Sequence, residues 1–352
     1  MRQGPIPETP LEVAALAVGR VPTPLLDTIV SLLLARTVLV ATKLGIFEAL
    51  AHGALGTAEV ASFCQTQHHA TGKLLDALVG ARYLRVRGGR YELRSLARTW
   101  LLMDSPTSLY DALLYQFVDL RYIEHLEEYV RSGEPVHMHE EMAAGEWGLY
   151  QRAMRSGASF TAPEVARRLP VPSGARDLLD IGGSHGYYSV ALCRRHPDLR
   201  ATVLDLPEAV EAAAPLLKRE GMGDRVQHQA GDARTAELGN GAYDLIFIAN
   251  LVHHFDEATN RALVRRAAQA LRPGGVLALG EVVRPEAPEG AGQLGGLTGL
   301  YFALTSSGGT WSFAEMAEWQ RAAGLRPHRP IRLFTAPNGG LQVASKGQTA
   351  SL

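Results

Sequence analysis

Residues 177–186 read D-L-L-D-I-G-G-S-H-G, and this stretch decides the fold. A short apolar run is followed by three glycines within five residues, and a helical pattern begins at Tyr187. A strand, a glycine-rich turn and a helix form a nucleotide-binding βα unit, because glycine lets the backbone approach a ligand where a Cβ atom would collide. The dinucleotide fingerprint G-x-G-x-x-G, counted from Gly182, is excluded because Ser184 and Tyr187 occupy two of its glycine positions.

The spacing fits instead an acid-x-G-x-small-x-G pattern that begins at Asp180. This pattern resembles the first motif of class I S-adenosylmethionine-dependent methyltransferases, with serine at the middle glycine. The resemblance implies a loop for the methionine end of the cofactor, formed by Asp180, Gly182, Gly183, Ser184 and Gly186. His185 is expected to be a solvent-side residue of the turn rather than a catalytic base.

Composition narrows the class of protein. The 352 residues carry 35 Lys+Arg against 36 Asp+Glu, a formal net charge of −1, so no global electrostatic attraction to nucleic acid or to an anionic membrane is expected. Cys64 and Cys193 stand in predicted helices of different domains, which argues against disulfides or a cysteine-based metal site and favours the cytoplasm. No signal peptide is evident at residues 1–5. Charged residues are expected to prevent the apolar stretch 25–50 from spanning a membrane, namely Asp27, Arg36, Lys43 and Glu48.

The first third of the chain has a winged-helix pattern. Dense apolar positions from residue 29 to 40 predict a buried helix, and further helices are predicted from Thr57 and over 71–79. Gly88 and Gly89 then join two short strands as a tight hairpin. Such a domain can bind DNA, but its third helix has no arginine-rich face to meet phosphates.

Three short sequence motifs in this region are more specific than the winged-helix pattern. They are A-T-K-L-G-I-F-E-A-L at 41–50, L-L-D-A-L-V at 74–79 and R-Y-E-L-R-S-L-A-R-T-W-L at 90–101. They resemble the N-terminal dimerisation domain of plant-type and bacterial small-molecule O-methyltransferases, a group that includes caffeate and acetylserotonin O-methyltransferases. The resemblance extends over nearly the whole chain from about Leu25. It implies a homodimer paired through this domain.

Three segments are expected. Residues 1–104 form the winged-helix-like dimerisation domain, 105–175 a helical linker that contributes to the acceptor pocket, and 176–352 the cofactor-binding catalytic domain. The linker is rich in aromatic residues and methionine. The resemblance implies that it lines the pocket, with Met154 and Phe160 as candidate walls, while ordinary core packing is the alternative for each residue.

Acids at strand ends continue the cofactor motif. Asp205 follows the strand 201–204, about 20 residues beyond the glycine turn, where a carboxylate can accept hydrogen bonds from both ribose hydroxyls; a helix N-cap before Pro207 is the alternative. The phrase V-L-D-L-P-E-A-V, which includes Leu206, matches the family's second motif. The resemblance further implies that Asp232 and Ala233 contact the adenine.

The remaining elements complete the predicted fold. A nearly all-apolar strand over 243–250 places Asn250 at its carboxyl end, where open α/β sheets bind ligands. The turn at 272–275 and a strand over 276–283 follow, and strands at 331–334 and 341–345 end the chain. The prediction is an α/β protein with a Rossmann-like, seven-stranded class I methyltransferase domain, whose final hairpin is antiparallel.

Methyl transfer to a neutral hydroxyl needs an aligned acceptor and a base, but no metal. The family's His-Asp-Trp motif aligns with residues 253–255. The resemblance therefore makes His253 the candidate base and puts His254 at the Asp position. A histidine near its reference pKa of about 6.5 suits a phenolic proton. Two alternatives stay open: His254 is the functional histidine, or both histidines only form the wall of the cofactor cleft.

Family members orient this histidine with two glutamates. Glu281 occupies the first place, but the second falls at Thr310, so either the threonine orients the imidazole weakly or the acceptor is not a typical phenol. The segment 300–305, which includes Phe302, resembles the helix that closes the acceptor pocket.

The leading hypothesis is a homodimeric O-methyltransferase. It converts S-adenosyl-L-methionine to S-adenosyl-L-homocysteine while methylating a hydroxyl of a small aromatic or polyketide-like secondary metabolite. The alternatives are N- or C-methylation, a related enzyme that has lost methyl transfer and does hydroxylation or decarboxylation, and a DNA-binding regulator.

Overall fold

A computed structural model describes residues 4–348 of the chain. It divides into two compact units, one ending at Phe117 and the other beginning at Val118, which are described separately below. The division falls inside the helix Tyr110–Ile123. The finer three-part organisation expected from the sequence stays a prediction.

The N-terminal unit contains the predicted helices and hairpin. The hairpin consists of β1 (Leu84–Arg87) and β2 (Arg90–Leu93), which pair antiparallel around Gly88 and Gly89, both with positive φ. The helix predicted over 71–79 begins earlier, at His68. The helices are Pro10–Ala17, Thr23–Leu25, the π-helical turn Leu26–Val30, Ser31–Lys43, Ile46–Ala49, Thr57–Cys64, His68–Gly80 and Ser95–Trp100.

The long helix Thr23–Lys43 is buried only toward its end. Val38, Leu39 and Ala41 pack into the core of the unit, whereas Leu32 and Leu33 are more than half exposed. By length and composition alone, the helix is long and apolar enough to cross a membrane. The core helix of a soluble protein meets the same criterion, so the expectation that this stretch does not span a membrane stays a prediction.

The second unit is built on one sheet. Its strands are β3 Asp177–Ile181, β4 Arg200–Asp205, β5 Val226–Ala230, β6 Tyr243–Ala249, β7 Leu271–Val282, β8 Arg326–Pro327, β9 Ile331–Arg332 and β10 Gly339–Ser345. Their order across the sheet is β5-β4-β3-β6-β7-β10-β8. The first five strands in this order are parallel, and β10 pairs antiparallel with β7, as predicted. The sequence predicts seven positions, but two very short strands, β8 and β9, share the last one beside β10, giving eight strands.

Helices cover the sheet and its carboxyl edge. Trp147–Arg168 packs against Tyr187–Arg195 and Pro207–Arg219. Four consecutive residues are buried in each of the central strands, 178–181 in β3 and 245–248 in β6, as is typical of parallel strands covered on both faces. The other helices are Leu126–Ser132, Met138–Glu141, Glu257–Ala270, Gly292–Thr305 and Phe313–Ala322, with 3₁₀ turns at Gly223–Arg225, Val252–His254 and Pro288–Ala291.

This topology brings distant motifs to one edge. β3 ends at the glycine turn, β4 ends at Asp205, and β6 ends just before Asn250. Glu281 lies near the end of β7, next to β6. The carboxyl ends of neighbouring parallel strands form the ligand crevice of an open α/β sheet, so the predicted site residues converge here.

Candidate active site

A cavity of about 770 Å³ lies at this edge, within the second unit. Twelve of the seventeen predicted site residues line it: Met154, Asp180, Gly182, Gly183, Ser184, Asp205, Leu206, Asp232, Ala233, Asn250, His254 and Glu281. The other five predicted residues are not among those that line the cavity, namely Phe160, Gly186, His253, Phe302 and Thr310. The roles of all seventeen stay predictions.

Two glycines of the turn, Gly182 and Gly183, stand where a side chain would meet neighbouring atoms. A Cβ at Gly183 would stand 2.6 Å from the Asp180 carboxyl carbon. Gly182 has φ +69°, and a Cβ there would meet Leu251 at 2.8 Å. Glycine is required at 183 by space and at 182 by both space and backbone conformation, so the bare backbone of the turn borders the cavity.

Ser184 holds the turn with three of its polar atoms. Its φ of +52° is unusual for a residue with a side chain. Its amide donates to Asp205 Oδ2 at 2.7 Å, its hydroxyl donates to Gln151 Oε1 at 2.5 Å, and its carbonyl lies 2.9 Å from His228 Nε2. These bonds stabilise the left-handed conformation that the family pattern would give to glycine.

His185 differs from the expectation. It was expected on the solvent side of the turn, but only 5% of it is exposed, and it lines the cavity. Its Nδ1 accepts a hydrogen bond from the Tyr187 amide at 3.0 Å. The ring therefore provides an acceptor for an N–H group of the first helical turn that has none within the helix. Burial, aided by the nearby Arg155 and His228, lowers its pKa to about 3, and the ring is neutral.

Two buried acids flank the turn. Asp180 Oδ2 accepts from the Ser189 hydroxyl at 2.7 Å, and burial raises the pKa of Asp180 to about 7. Asp205 accepts from the amides of Ser184 and Leu206, and burial raises its pKa to about 6. The N-cap alternative for Asp205 is wrong, because the helix that begins at Pro207 has Leu206 at its N-cap.

Asp232 and Asn250, two of the predicted cofactor-binding residues, are also held by hydrogen bonds. Asp232 accepts from the Arg234 backbone amide at 2.8 Å, and its Oδ2 pairs with the guanidinium at 2.7 Å. The hydrogen bonds from Arg234 lower the pKa of Asp232, so this carboxyl is ionised at neutral pH. Asn250, with φ +52°, donates its amide to the Gly280 carbonyl at 2.8 Å, which joins the end of β6 to β7.

Glu281 organises the loop that carries the histidines. Its Oε1 accepts from the amides of Leu251 and Val252, each at 2.9 Å, while Oε2 lies 2.9 Å from His253 Nδ1. Glu281 and His253 are both at least 95% buried. A carboxylate at Nδ1 keeps the proton on that nitrogen, which leaves Nε2 to accept one.

An aromatic ring holds the other side of His253. Phe302 stacks on the imidazole with a centroid distance of 3.8 Å and an interplanar angle of 12°. The His253 carbonyl accepts from the Ser306 hydroxyl and the Gly309 amide, each at 2.9 Å. Thr310, at the place of the second orienting glutamate, uses its carbonyl to accept from Arg284 Nε at 3.0 Å.

An aromatic cluster that no sequence pattern indicates lies beside His254. The His139 ring meets the His254 ring edge-on at 4.6 Å and stacks with Trp147 at 5.8 Å. Its Nε2 lies 3.2 Å from the Tyr150 hydroxyl. Burial lowers the pKa of His139 to about 4 and that of His254 well below its usual value. The cavity wall on this side is therefore aromatic and uncharged.

No metal centre accompanies the site in the part of the chain that the structure describes. Among residues 4–348, no group of three or more His, Cys, Asp or Glu side chains is placed to hold a metal ion.

Comparison with known proteins assigns the family. Residues 126–326, more than half of the chain, match the family model for the O-methyltransferase domain. The chain belongs to this O-methyltransferase family. Residues 26–103 match the model for the O-methyltransferase dimerisation domain, so the family's two domains are both present, as the resemblance implied.

Individual known proteins also match this chain over most of their length. A 3-hydroxy-5-methyl-1-naphthoate 3-O-methyltransferase of Streptomyces sahachiroi is 27% identical over 333 residues, covering 92% of this chain and 94% of the relative. An N,N-dimethyltransferase of Streptomyces rimosus is 30% identical over 249 residues, covering 67% and 71%. Human N-acetylserotonin methyltransferase, solved in complex with SAM, superposes with a TM-score of 0.80 at 24% identity, covering 97% of this chain and 99% of that chain. The predicted fold is confirmed.

Proposed function

We propose that this O-methyltransferase methylates a hydroxyl of a small aromatic or polyketide-like acceptor, with His253 as the general base. The observation that carries the proposal is the buried His253–Glu281 pair at 2.9 Å, at the edge of a cavity that also contains the glycine turn and Asp205. A base and a nucleoside site in one crevice are what hydroxyl methylation requires.

The residues around the cavity fit S-adenosylmethionine. The crowded turn at Gly183 keeps side chains away from the place of the methionine end. Asp205 provides acceptors for the ribose hydroxyls, and Asp232 with Ala233 borders the adenine. When bound, the cofactor would supply an electrophilic methyl group: a bond from the acceptor oxygen to the methyl carbon would form as the bond from that carbon to sulfur breaks, with S-adenosylhomocysteine as the leaving group.

Residues of the chain itself remove the proton from the acceptor hydroxyl. Glu281 accepts from His253 Nδ1, so that Nε2 takes the hydroxyl proton as the acceptor oxygen attacks. Phe302 and Glu281 hold the imidazole from two sides, which supports a positioned base without the family's second glutamate. The near-parallel rings of Trp147 and His139, with Tyr150 edge-on to both, provide an aromatic wall for the acceptor.

Methylation of nitrogen or carbon is the second candidate. An N,N-dimethyltransferase is among the relatives, and an amine needs a weaker base than an alcohol. Loss of methyl transfer, with hydroxylation or decarboxylation in its place, is the third candidate, and the intact His253 argues against it.

An assay with methyl-labelled S-adenosylmethionine tests the proposal. The protein is incubated with hydroxylated aromatics and with matched amines of the same ring systems, and the labelled products are analysed by mass spectrometry. We expect label on oxygen. Label on nitrogen or carbon supports the second candidate, and conversion of acceptors without any transferred label supports the third.

We also propose that the protein is a cytoplasmic homodimer. Leu32 and Leu33 on the helix Thr23–Lys43 are more than half exposed, and they lie within the segment that matches the dimerisation domain. A second copy of the same helix would remove this apolar surface from water, a contribution of about 25 cal/mol per Å².

Replacement of both Leu32 and Leu33 by aspartate is expected to convert the dimer into monomers, because charges cannot be buried unpaired in an apolar interface. Sedimentation velocity measures the change. Val130→Asp is the matched control, since this apolar residue is 71% exposed on the other unit. Recovery of the wild-type protein in the membrane fraction, or a wild-type monomer, would contradict the proposal.

A further inference from the structure

The buried amide of Gln151 stands at the cofactor end of the cavity with one group unused. Gln151 lies on the helix Trp147–Arg168, is fully buried and lines the cavity. Its Oε1 accepts the Ser184 hydroxyl at 2.5 Å. Its Nε2 has no hydrogen-bond partner among the described residues. A buried donor without an acceptor is destabilising and uncommon in native proteins, so this one points to a ligand.

The position of the amide selects the kind of ligand atom. Ser184 belongs to the glycine turn, so Gln151 faces the place proposed for the amino-acid end of the cofactor. Because Oε1 is occupied by Ser184, the free group is an N–H donor, and its partner must be an acceptor. The amino-acid end carries one strong acceptor, its carboxylate.

The basic side chains near the proposed place of the cofactor's amino-acid end are either paired or neutral. Arg155 pairs with Glu220 at 2.5 Å and lies over the Tyr187 ring at 4.4 Å. His185 is neutral, since burial lowers its pKa to about 3. A carboxylate at this place therefore depends on uncharged donors, and a donor paired with an ionised acceptor forms a strong hydrogen bond.

We propose that Gln151 Nε2 donates a hydrogen bond to the carboxylate of S-adenosylmethionine, with Ser184 holding the amide in the required orientation. This inference rests on the proposed function, since it assumes that cofactor. It assigns a cofactor-binding role to a residue of the helix before the methyltransferase sheet.

Isothermal titration calorimetry with two probes tests the contact. S-adenosylhomocysteine has the carboxylate, and decarboxylated S-adenosylmethionine lacks it. Gln151→Met is expected to weaken binding of the first probe about 10- to 100-fold, as loss of a hydrogen bond to a charged group does. Binding of the decarboxylated probe should change by less than about 2-fold. Gln320→Leu is the matched control, because it removes an equally buried amide that donates to the Gln342 carbonyl.

A second variant keeps the test decisive if Gln151→Met is poorly stable. Ser184→Gly suits the left-handed backbone and removes the hydroxyl that fixes the amide. It should weaken S-adenosylhomocysteine binding by about 3-fold or more and change binding of the decarboxylated probe by less than about 2-fold. Equal weakening of both probes, or no weakening of either, would overturn the proposed orientation by Ser184.

The outcomes separate the two proposals. Equal weakening of both probes by Gln151→Met, or no weakening of S-adenosylhomocysteine binding, would overturn the carboxylate contact and leave the proposed function intact. Failure of the wild-type protein to bind S-adenosylhomocysteine would overturn the proposed function itself.

Discussion

The variant His253→Ala is expected to transfer methyl groups about 10²- to 10⁴-fold more slowly than the wild-type protein, the range that a positioned general base contributes. The imidazole is held by Glu281 on one side and by Phe302 on the other, and alanine leaves no group there to accept the hydroxyl proton. Single-turnover kinetics with a confirmed acceptor measure the loss. Calorimetry should show nearly unchanged affinity for S-adenosylhomocysteine, because His253 is assigned to the acceptor hydroxyl and not to the cofactor.

His254→Ala is the matched control for this experiment. His254 lies on the same 3₁₀ turn, with its ring 4.1 Å from that of His253, but its Nδ1 is buried without a hydrogen-bond partner. No described carboxylate orients it as Glu281 orients His253, so its replacement should cost less. A loss smaller than about 10-fold for His253→Ala would contradict general-base O-methylation. A larger loss for His254→Ala would exchange the roles of the two histidines.

Much of the fold was predictable because it depends on local chemistry. The glycine spacing after an apolar run requires a strand, a turn and a helix, and the acids at strand ends follow from the same topology. The paired glycines at 88 and 89 likewise predicted the hairpin between β1 and β2, since both positions need positive φ. Such patterns constrain the backbone within a few residues, which is the range over which a sequence is informative by itself.

The remaining features depend on contacts between distant segments. His139 reaches His254 only because Met138–Glu141 lies over the sheet edge, and no periodicity relates the two positions. Gln151 and Ser184 meet for the same reason. His185 is predicted on the solvent side of the turn. In the structure its ring is buried, and Nδ1 accepts from the Tyr187 amide at the start of the following helix. Spacing locates a residue along the chain, but packing decides where its side chain lies.

The structure also changes the question raised by Thr310. Spacing placed this residue where the family has a second glutamate, and a threonine there implied a weakly oriented base. In the structure the ring of Phe302 lies against the imidazole instead, while Thr310 contacts Arg284 through its carbonyl. Orientation of His253 therefore depends on one carboxylate and one aromatic face, and Glu281 is the only acid beside it among the described contacts.

Two replacements of Glu281 should therefore separate a loss of stability from a loss of activity. In Glu281→Ala, the buried amides of Leu251 and Val252 and the Nδ1 of His253 all lose their acceptor. Each unsatisfied buried donor costs about 1–3 kcal/mol, so the free energy of unfolding should fall by about 3 kcal/mol or more, together with activity. Denaturant unfolding measures the first loss.

Glu281→Gln keeps the shape of the side chain and changes only which nitrogen of His253 carries the proton. The amide oxygen can still accept from Leu251 and Val252, so the free energy of unfolding should stay within about 1 kcal/mol of the wild-type value. The amide nitrogen, however, donates to His253 Nδ1, which forces the proton onto Nε2 and removes the lone pair that accepts the hydroxyl proton. A comparable change of tautomer costs about 10⁴-fold in a catalytic triad, and a loss of about 10³- to 10⁴-fold in kcat is expected here. A stable Glu281→Gln enzyme with wild-type kcat would show that the carboxylate anchors the loop without setting the tautomer of the base.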